Sequence, residues 1–249
     1  NPTGNITLLA ETPVSEESQP LVAKALMARE PDTEQVGFLY PVEEGIGLRM
    51  AGGEFCGNAS MSAAVLYMKR EGRESGSVTV TVSGTPEPVE VDVLASSDSV
   101  WQGTVRMPRP ISVEQRKLSD GRRLPVVRFP GITHVILEED MDRKEAERLA
   151  RLWCSELEAD GLGLMFLNRN QKTLKPLVWV PAAETLFWES SCASGTTAAG
   201  AYLAKELGRP VRLPLAQAGG ILTIEAEPEG ALFLSGTVRI VTRAVDVAL

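Results

Sequence analysis

Two cysteines, Cys56 and Cys192, each follow a glutamate in a short polar turn and precede a run of small, mostly apolar residues. Around the first, residues 53–60 read GEFCGNAS, and around the second, residues 189–197 read ESSCASGTT. Both runs end in a charged turn and a glycine at the same distance from the cysteine. The matched pattern predicts two helices of equal length, each opened by a cysteine.

A cysteine at a helix start is placed to react. The thiolate is the reactive form, and the unpaired N–H groups and partial positive charge of a helix N-terminus stabilise it. Two such N-termini also form a cradle for an anion such as a carboxylate. The cradle would use the small residues that follow each cysteine: Gly57, Asn58, Ser194, Gly195 and Thr196.

Together the two thiols predict inversion of configuration at the Cα of an amino acid. One cysteine, as thiolate, removes the Cα proton, and the other, as thiol, delivers a proton to the opposite face. Hydrogen bonds to the carboxylate strengthen as enolate-like charge develops, which lowers the barrier. Cys56 and Cys192 are therefore the candidate catalytic residues, and a small-molecule amino acid is the expected partner.

Other interpretations of the reactive residue types remain open. A redox pair of cysteines is one, although a Cys-x-x-Cys spacing is missing. Cys154 lies on an amphipathic pattern and is expected to be an inert core residue. His134, the single histidine, lies in a predicted strand and is expected to pack or hydrogen-bond. Gly161-Leu162-Gly163 lacks the following helix of a dinucleotide site.

Glu54 and Glu189, which precede the two cysteines, have three possible roles. They could favour the positive helix ends, raise the pKa of the neighbouring thiol so that one cysteine stays protonated, or bind a substrate ammonium group. Trp188 could line a pocket or fill the core.

Composition narrows the class of protein. A net charge of −8 argues against a nucleic-acid partner, since phosphate backbones select basic surfaces. No apolar run is long enough to span a membrane, and three cysteines in a chain of this size fit a reducing compartment. We expect a cytoplasmic protein with no membrane partner. One histidine makes a metal site improbable, and no cofactor is expected.

The order of predicted elements occurs twice along the chain. Each copy has a β-branched strand, an amphipathic helix, two more strands, a cysteine-opened helix and a hairpin. The closing strands share a string, GTVRM at residues 103–107 and GTVRI at 236–240. The first copy places its first helix at 16–29 with Ser15 as cap, its cysteine helix up to about Arg70, and its hairpin at 78–93.

The predicted fold is α+β, with two pseudo-symmetric halves. The cysteine helices lack a polar face, so we expect each to be buried inside a curled, mostly antiparallel β-sheet. The halves are residues 1–112, with Cys56, and 113–249, with Cys192; residues 240–249 are expected to return to the first half. Residues 109–123 are interpreted as a polar linker. The helix N-termini are expected to face each other across the cleft.

Several short motifs resemble those of diaminopimelate epimerase. Cys56-Gly57-Asn58 is similar to its first catalytic motif, and residues 192–196 resemble its second with altered spacing. Gly4-Asn5 resembles its N-terminal Gly-Asn, and residues 235–238 its closing strand. This resemblance to a superfamily of two-cysteine racemases and epimerases covers nearly the whole chain. It implies the diaminopimelate epimerase-like fold, catalysis without pyridoxal phosphate or metal, and substrate binding by Asn5. A homodimer is also expected.

Departures from those motifs bear on the substrate. The epimerase has Gly-Asn-Pro-His where this chain has residues 131–134, so a substrate-binding Asn is missing. The segment before Cys192 lacks the epimerase's Arg and carries Phe187 and Trp188 instead. Diaminopimelate is therefore not the expected substrate, and histidine is the leading candidate.

Two other functions stay open. The chain could be an isomerase of another carbon acid on the same fold, similar to phenazine-pathway enzymes or to a hydroxyproline epimerase or dehydratase. It could also be a non-catalytic protein that binds amino acids or senses thiols.

Overall fold

The chain forms two compact units, and the boundary between them is crossed twice. The computed structural model describes residues 3–241 and Val245, except for the side chain of Ala183. The first unit runs up to Arg106 and resumes at Ser235, and the second comprises Met107–Leu234. The sequence-based boundary after residue 112 stays a prediction. The expected return of residues 240–249 lies mostly outside the described residues, although Val245 packs against the core of the first unit.

The first unit combines a mixed sheet with two helices. Its described elements in chain order are β1 (Thr7–Ala10), α1 (Gln19–Arg29), β2 (Gln35–Tyr40), β3 (Ile46–Met50), α2 (Gly57–Arg70), β4 (Ser75–Val82), β5 (Val89–Ser97) and β6 (Val100–Arg106). Strands β1 and β2 pair parallel, β2 and β3 antiparallel, β3 and β4 parallel, and β4 and β5 antiparallel. Strand β6 continues antiparallel from β5.

The second unit repeats this order of ladders. Its described elements are β7 (Ser112–Lys117), β8 (Arg123–Phe129), β9 (Ile132–Leu137), α3 (Arg143–Glu156), β10 (Leu162–Asn168), β11 (Thr173–Val180), β12 (Thr185–Trp188), α4 (Ala193–Leu207), β13 (Val211–Gln217), β14 (Gly220–Ala226) and the start of β15 (Leu232–Arg239). Strand β9 pairs parallel with β10, and β10 pairs antiparallel with β11. Strand β11 pairs parallel with β13, and β13 pairs antiparallel with β14.

The two cysteine helices are the buried elements of their units. Helix α2 packs against β1, β3, β4, β5 and β6, and helix α4 against β7–β10, β13 and β14. Both are built mainly from small residues, so strands approach closely: a Cβ on Gly103 would lie 3.1 Å from Met61 side-chain atoms. Burial of most of each helix, as the sequence predicts, fixes the position of the cysteine at its start.

Three interpretations of the sequence were wrong or incomplete. Residues 109–123 are not a plain linker, because β7 forms an edge strand whose polar side chains face solvent while its backbone pairs with β8. Ser15 does not cap an α-helix: its hydroxyl bonds Ser18 Oγ, residues Glu16–Ser18 form a 3-10 turn, and α1 starts at Gln19 with a proline in its first turn. Strands β8, β12 and β13 were missed.

In the part of the chain that the structure describes, no helix is both long and apolar enough to cross a bilayer.

The close packing of α4 predicts that a larger side chain on this helix destabilises the protein more than one at an exposed helix position. A Cβ on Gly200 would lie 2.5 Å from Ile224 Cγ1. We expect Gly200→Val to lower the free energy of unfolding by roughly 1–3 kcal/mol, because the core has no room for it. The matched control Ser155→Val, on the exposed face of α3, should change it by no more than about 0.5 kcal/mol. Urea unfolding measures both, and equal effects would contradict the packing described.

Candidate functional site

Cys56 is the N-cap of α2, and its sulfur replaces the oxygen that usually fills this role. Its backbone is extended, and the sulfur accepts a hydrogen bond from Ala59 N at 3.4 Å. The carbonyl of Cys56 accepts from the hydroxyl of Ser60 at 2.8 Å as well as from its N–H. The thiol is therefore held at a helix start whose backbone N–H groups are directed toward it.

A glutamine from a distant strand orients the Cys56 thiol. Gln35, at the start of β2, accepts a hydrogen bond from Cys56 Sγ through Oε1 at 3.2 Å. The amide of Gln35 cannot turn over freely, because its Nε2 donates to Asn5 Oδ1 at 2.6 Å and to Thr7 Oγ1 at 2.9 Å. Asn5 in turn donates to Glu34 Oε2 at 2.8 Å. The predicted residue Asn5 thus reaches Cys56 through Gln35, which the sequence did not single out.

Cys192 is the N-cap of α4 in the same geometry. Its sulfur accepts from Gly195 N at 3.4 Å and lies 3.6 Å from Ser194 Oγ. Its carbonyl accepts from Thr196 Oγ1 at 2.7 Å, as the Cys56 carbonyl does from a serine in the first unit. A Cβ on Gly195 would lie 2.1 Å from Met165 Sδ, so any side chain there would displace Met165.

A second glutamine supports the Cys192 cap. Gln217, at the end of β13, accepts from Cys192 N through Oε1 at 2.9 Å and donates from Nε2 to Thr196 Oγ1 at 2.9 Å. The hydroxyl of Thr196 is therefore engaged inside the helix start. Both glutamines come from strands more than twenty residues away along the chain, so no local pattern announces them.

The environment of Cys192 favours the thiol over the thiolate. Burial raises the pKa of the Cys192 thiol well above its ordinary value, and the negative charge of Glu189 raises it further. Hydrogen bonds from Ser194 and from the N–H of Gly195 act in the opposite direction but are outweighed. An effect of Glu189 on the pKa of the neighbouring thiol is one of the roles considered for it, and the electrostatics of Cys192 agree with that role.

The structure brings the sequence-predicted site residues together within each unit. Asn5, Cys56, Gly57 and Asn58 belong to the first unit, with Gly57 and Asn58 buried in the first turn of α2. The second unit groups the remaining ones around the start of α4: Glu189, Cys192, Ser194, Gly195 and Thr196.

The other residues weighed in the sequence have structural surroundings. Cys154, on the buried face of α3, is 2% exposed, and burial raises its pKa. Trp188 stacks on Phe166 with ring centroids 5.7 Å apart and donates from Nε1 to Glu147. Desolvation raises the pKa of Glu54, although its side chain keeps contact with solvent. Among the described residues, no three His, Cys, Asp or Glu side chains cluster as metal ligands would.

Comparison with known proteins finds racemases among the relatives of this chain. Residues 1–245 match the family described as the histidine racemase CntK N-terminal domain. A histidine racemase from Fusobacterium nucleatum subsp. nucleatum is 33% identical over 251 residues, which cover 97% of this chain and 92% of the relative. A histidine racemase from Staphylococcus aureus is 27% identical over 215 residues, which cover 81% of this chain and 77% of the relative.

A solved structure shares the fold. A PhzF-family phenazine biosynthesis protein from Bacillus anthracis is 15% identical and superposes with a TM-score of 0.66, covering 96% of this chain and 93% of that one. The chain therefore has the mixed, sheet-rich α+β fold of that structure.

The charge of Glu189 predicts the response of Cys192 to substitution. We expect Glu189→Gln to lower the pKa of Cys192, because removing a negative charge favours the thiolate. The pKa should stay above its ordinary value, since burial persists. The pH dependence of iodoacetamide alkylation, read at Cys192 by peptide mass spectrometry, measures the change. Glu184→Gln, at an exposed position on the approach to β12, is the control. An unchanged or higher pKa in Glu189→Gln would contradict the assignment.

Proposed function

This chain belongs to the histidine racemase CntK N-terminal domain family, and from that premise we propose that it interconverts the L and D forms of histidine with Cys56 and Cys192 as acid and base. That it is an amino-acid racemase follows from its relatives. The identity of the substrate and the roles of the two thiols are the proposed part.

The matched caps of α2 and α4 carry the proposal. In each unit a cysteine sulfur accepts an N–H three residues on, and the cysteine carbonyl accepts a hydroxyl four residues on. A capping role alone would favour Ser, Thr, Asp or Asn, whose oxygens accept more strongly than sulfur. A thiol at both positions fits acid–base chemistry, because a thiol, with an ordinary pKa of about 8.5, can both release and take up a proton near neutral pH.

The reaction balances with two protons. One cysteine, as thiolate, takes the Cα proton and becomes a thiol, while the other, as thiol, gives its proton to the opposite face and becomes a thiolate. Burial and Glu189 favour the thiol form of Cys192, so Cys192 acts as the acid in the direction in which Cys56 is the base. The reverse direction exchanges the two roles.

The remaining predicted residues would hold the substrate. N–H groups in the first turns of α2 and α4, at Gly57, Asn58 and Ser194, suit a carboxylate and stabilise the charge that develops on it. Glu189 suits the ammonium group, and Asn5 would act beside Cys56. The backbone of Gly195 and the hydroxyl of Thr196 already serve the cap, so these two would act through Cys192.

Histidine is favoured as substrate on two grounds. The relatives named above are histidine racemases, and the segment before Cys192 lacks the arginine expected for diaminopimelate. We further propose the diaminopimelate epimerase-like version of the fold, with a curled sheet around each cysteine helix. The expected homodimer and cytoplasmic location stay predictions.

Replacing either thiol tests the proposal. We expect Cys56→Ser and Cys192→Ser each to reduce racemisation of L-histidine by at least about a hundredfold, because a serine hydroxyl is far too weak an acid to replace the thiol. Chiral chromatography of the product gives the rate. Cys154→Ala is the matched control, since that thiol lies in the core, and should retain activity. Full activity in either serine variant, or no inversion of histidine by the wild type, would contradict the proposal.

A further inference from the structure

His134, the only histidine in the chain, lies in β9 and is completely buried. Burial lowers its pKa to about 3, so the imidazole is neutral in the folded protein near neutral pH. A histidine that cannot gain a proton is unsuited to act as a general base. Its role must come from its packing or from the hydrogen bond it makes.

The fold leaves a fitted space for this ring. Gly163 lies directly opposite His134 in the parallel ladder between β9 and β10, and a Cβ there would be 2.3 Å from His134 Nδ1. Phe129 meets the ring edge-on, with centroids 6.1 Å apart. The ring therefore occupies the space left by the absent side chain of Gly163 and packs edge-on against Phe129 on another side.

The two ring nitrogens have different surroundings. Nε2 lies 3.0 Å from Ser194 Oγ. Nδ1 is buried and, within the part of the chain that the structure describes, has no hydrogen-bond partner. If Nδ1 carried the proton, a buried N–H would be left without an acceptor next to Gly163. The tautomer protonated on Nε2 leaves only a lone pair there and donates its N–H to Ser194.

That tautomer determines where the Ser194 proton goes. With its oxygen accepting from His134 Nε2–H, the hydroxyl is free to donate to Cys192 Sγ, 3.6 Å away. A donor aimed at sulfur stabilises the thiolate that forms when Cys192 gives up its proton. It opposes the charge of Glu189, which acts on the same sulfur from the segment before α4, while Gln217 contributes only a neutral amide.

We propose that His134 is a positioning residue for racemisation: as a neutral Nε2–H tautomer it holds Ser194 so that the serine hydroxyl donates to Cys192. No proton passes through His134 or Ser194 during the reaction. The kinetic consequence rests on the proposed function, but the tautomer and the hydrogen bond do not.

Nitrogen NMR of the protein labelled in its single histidine tests the proposed tautomer. One labelled residue needs no resonance assignment, and the measurement does not depend on enzyme activity. The expected spectrum shows a neutral ring protonated on Nε2 across the pH range in which the protein stays folded. A ring protonated on Nδ1, or one that gains a proton in that range, would overturn the proposal and leave the proposed racemase activity untouched.

A matched pair of variants tests the second part. Gln and Met have similar size and shape, but only Gln offers an N–H where His134 Nε2 stands. We expect His134→Met to lower kcat roughly tenfold with KM changed by less than about twofold, because stabilisation of the Cys192 thiolate is lost. His134→Gln should recover kcat to within about threefold of the wild type.

The alkylation rate of Cys192 gives a readout that does not depend on turnover. At a fixed pH it should fall several-fold in His134→Met and recover in His134→Gln, because it follows the thiolate fraction. Adding His134→Met to Ser194→Ala should cost no more than Ser194→Ala alone. Equal losses in the Gln and Met variants, or independent effects of His134 and Ser194, would assign His134 a packing role and refute the proposal. Absence of racemisation with the expected alkylation pattern would instead refute only the proposed function.

Discussion

The structure depends on a cysteine sulfur acting as the cap of a buried helix, once in each unit. A sulfur 3.4 Å from the capped N–H is a weaker acceptor than an oxygen. Each cap is therefore reinforced: a hydroxyl in the next turn donates to the cysteine carbonyl, and a glutamine from a distant strand contacts the cysteine. The helix start tolerates a thiol because neighbouring side chains supply the hydrogen bonds that the thiol makes poorly.

Placing that cap requires the small-residue helices. Helix α4 is buried along nearly its whole length, and a side chain at Gly195 or Gly200 would displace Met165 or Ile224. A helix enclosed in this way has little freedom to shift along its axis, because packed cores resist small displacements. Enclosure by the sheet thus restrains the position of the thiol, and the same enclosure raises the pKa of Cys192.

The features that could be predicted from the sequence are those with a local signal. The cysteine helices, their burial and the repeated order of elements follow from short patterns of small, apolar and β-branched residues. Strand β7 was hidden because an edge strand that faces solvent has the composition of a linker. Gln35 and Gln217 were missed because their contacts with the cysteines join distant parts of the chain. His134 was expected to pack or hydrogen-bond, and its partner Ser194 could only be found in three dimensions.

Isotope labelling early in the reaction, well before the enantiomers reach equilibrium, tests the two-thiol account most directly. L-histidine is converted in deuterium oxide, and both enantiomers are separated before equilibrium. Two thiols on opposite faces predict that the D product carries deuterium at Cα while the remaining L substrate keeps its hydrogen, because each thiol exchanges with solvent but serves only one face. Deuterium appearing equally in both enantiomers from the start would show that one group serves both faces, and would contradict the account.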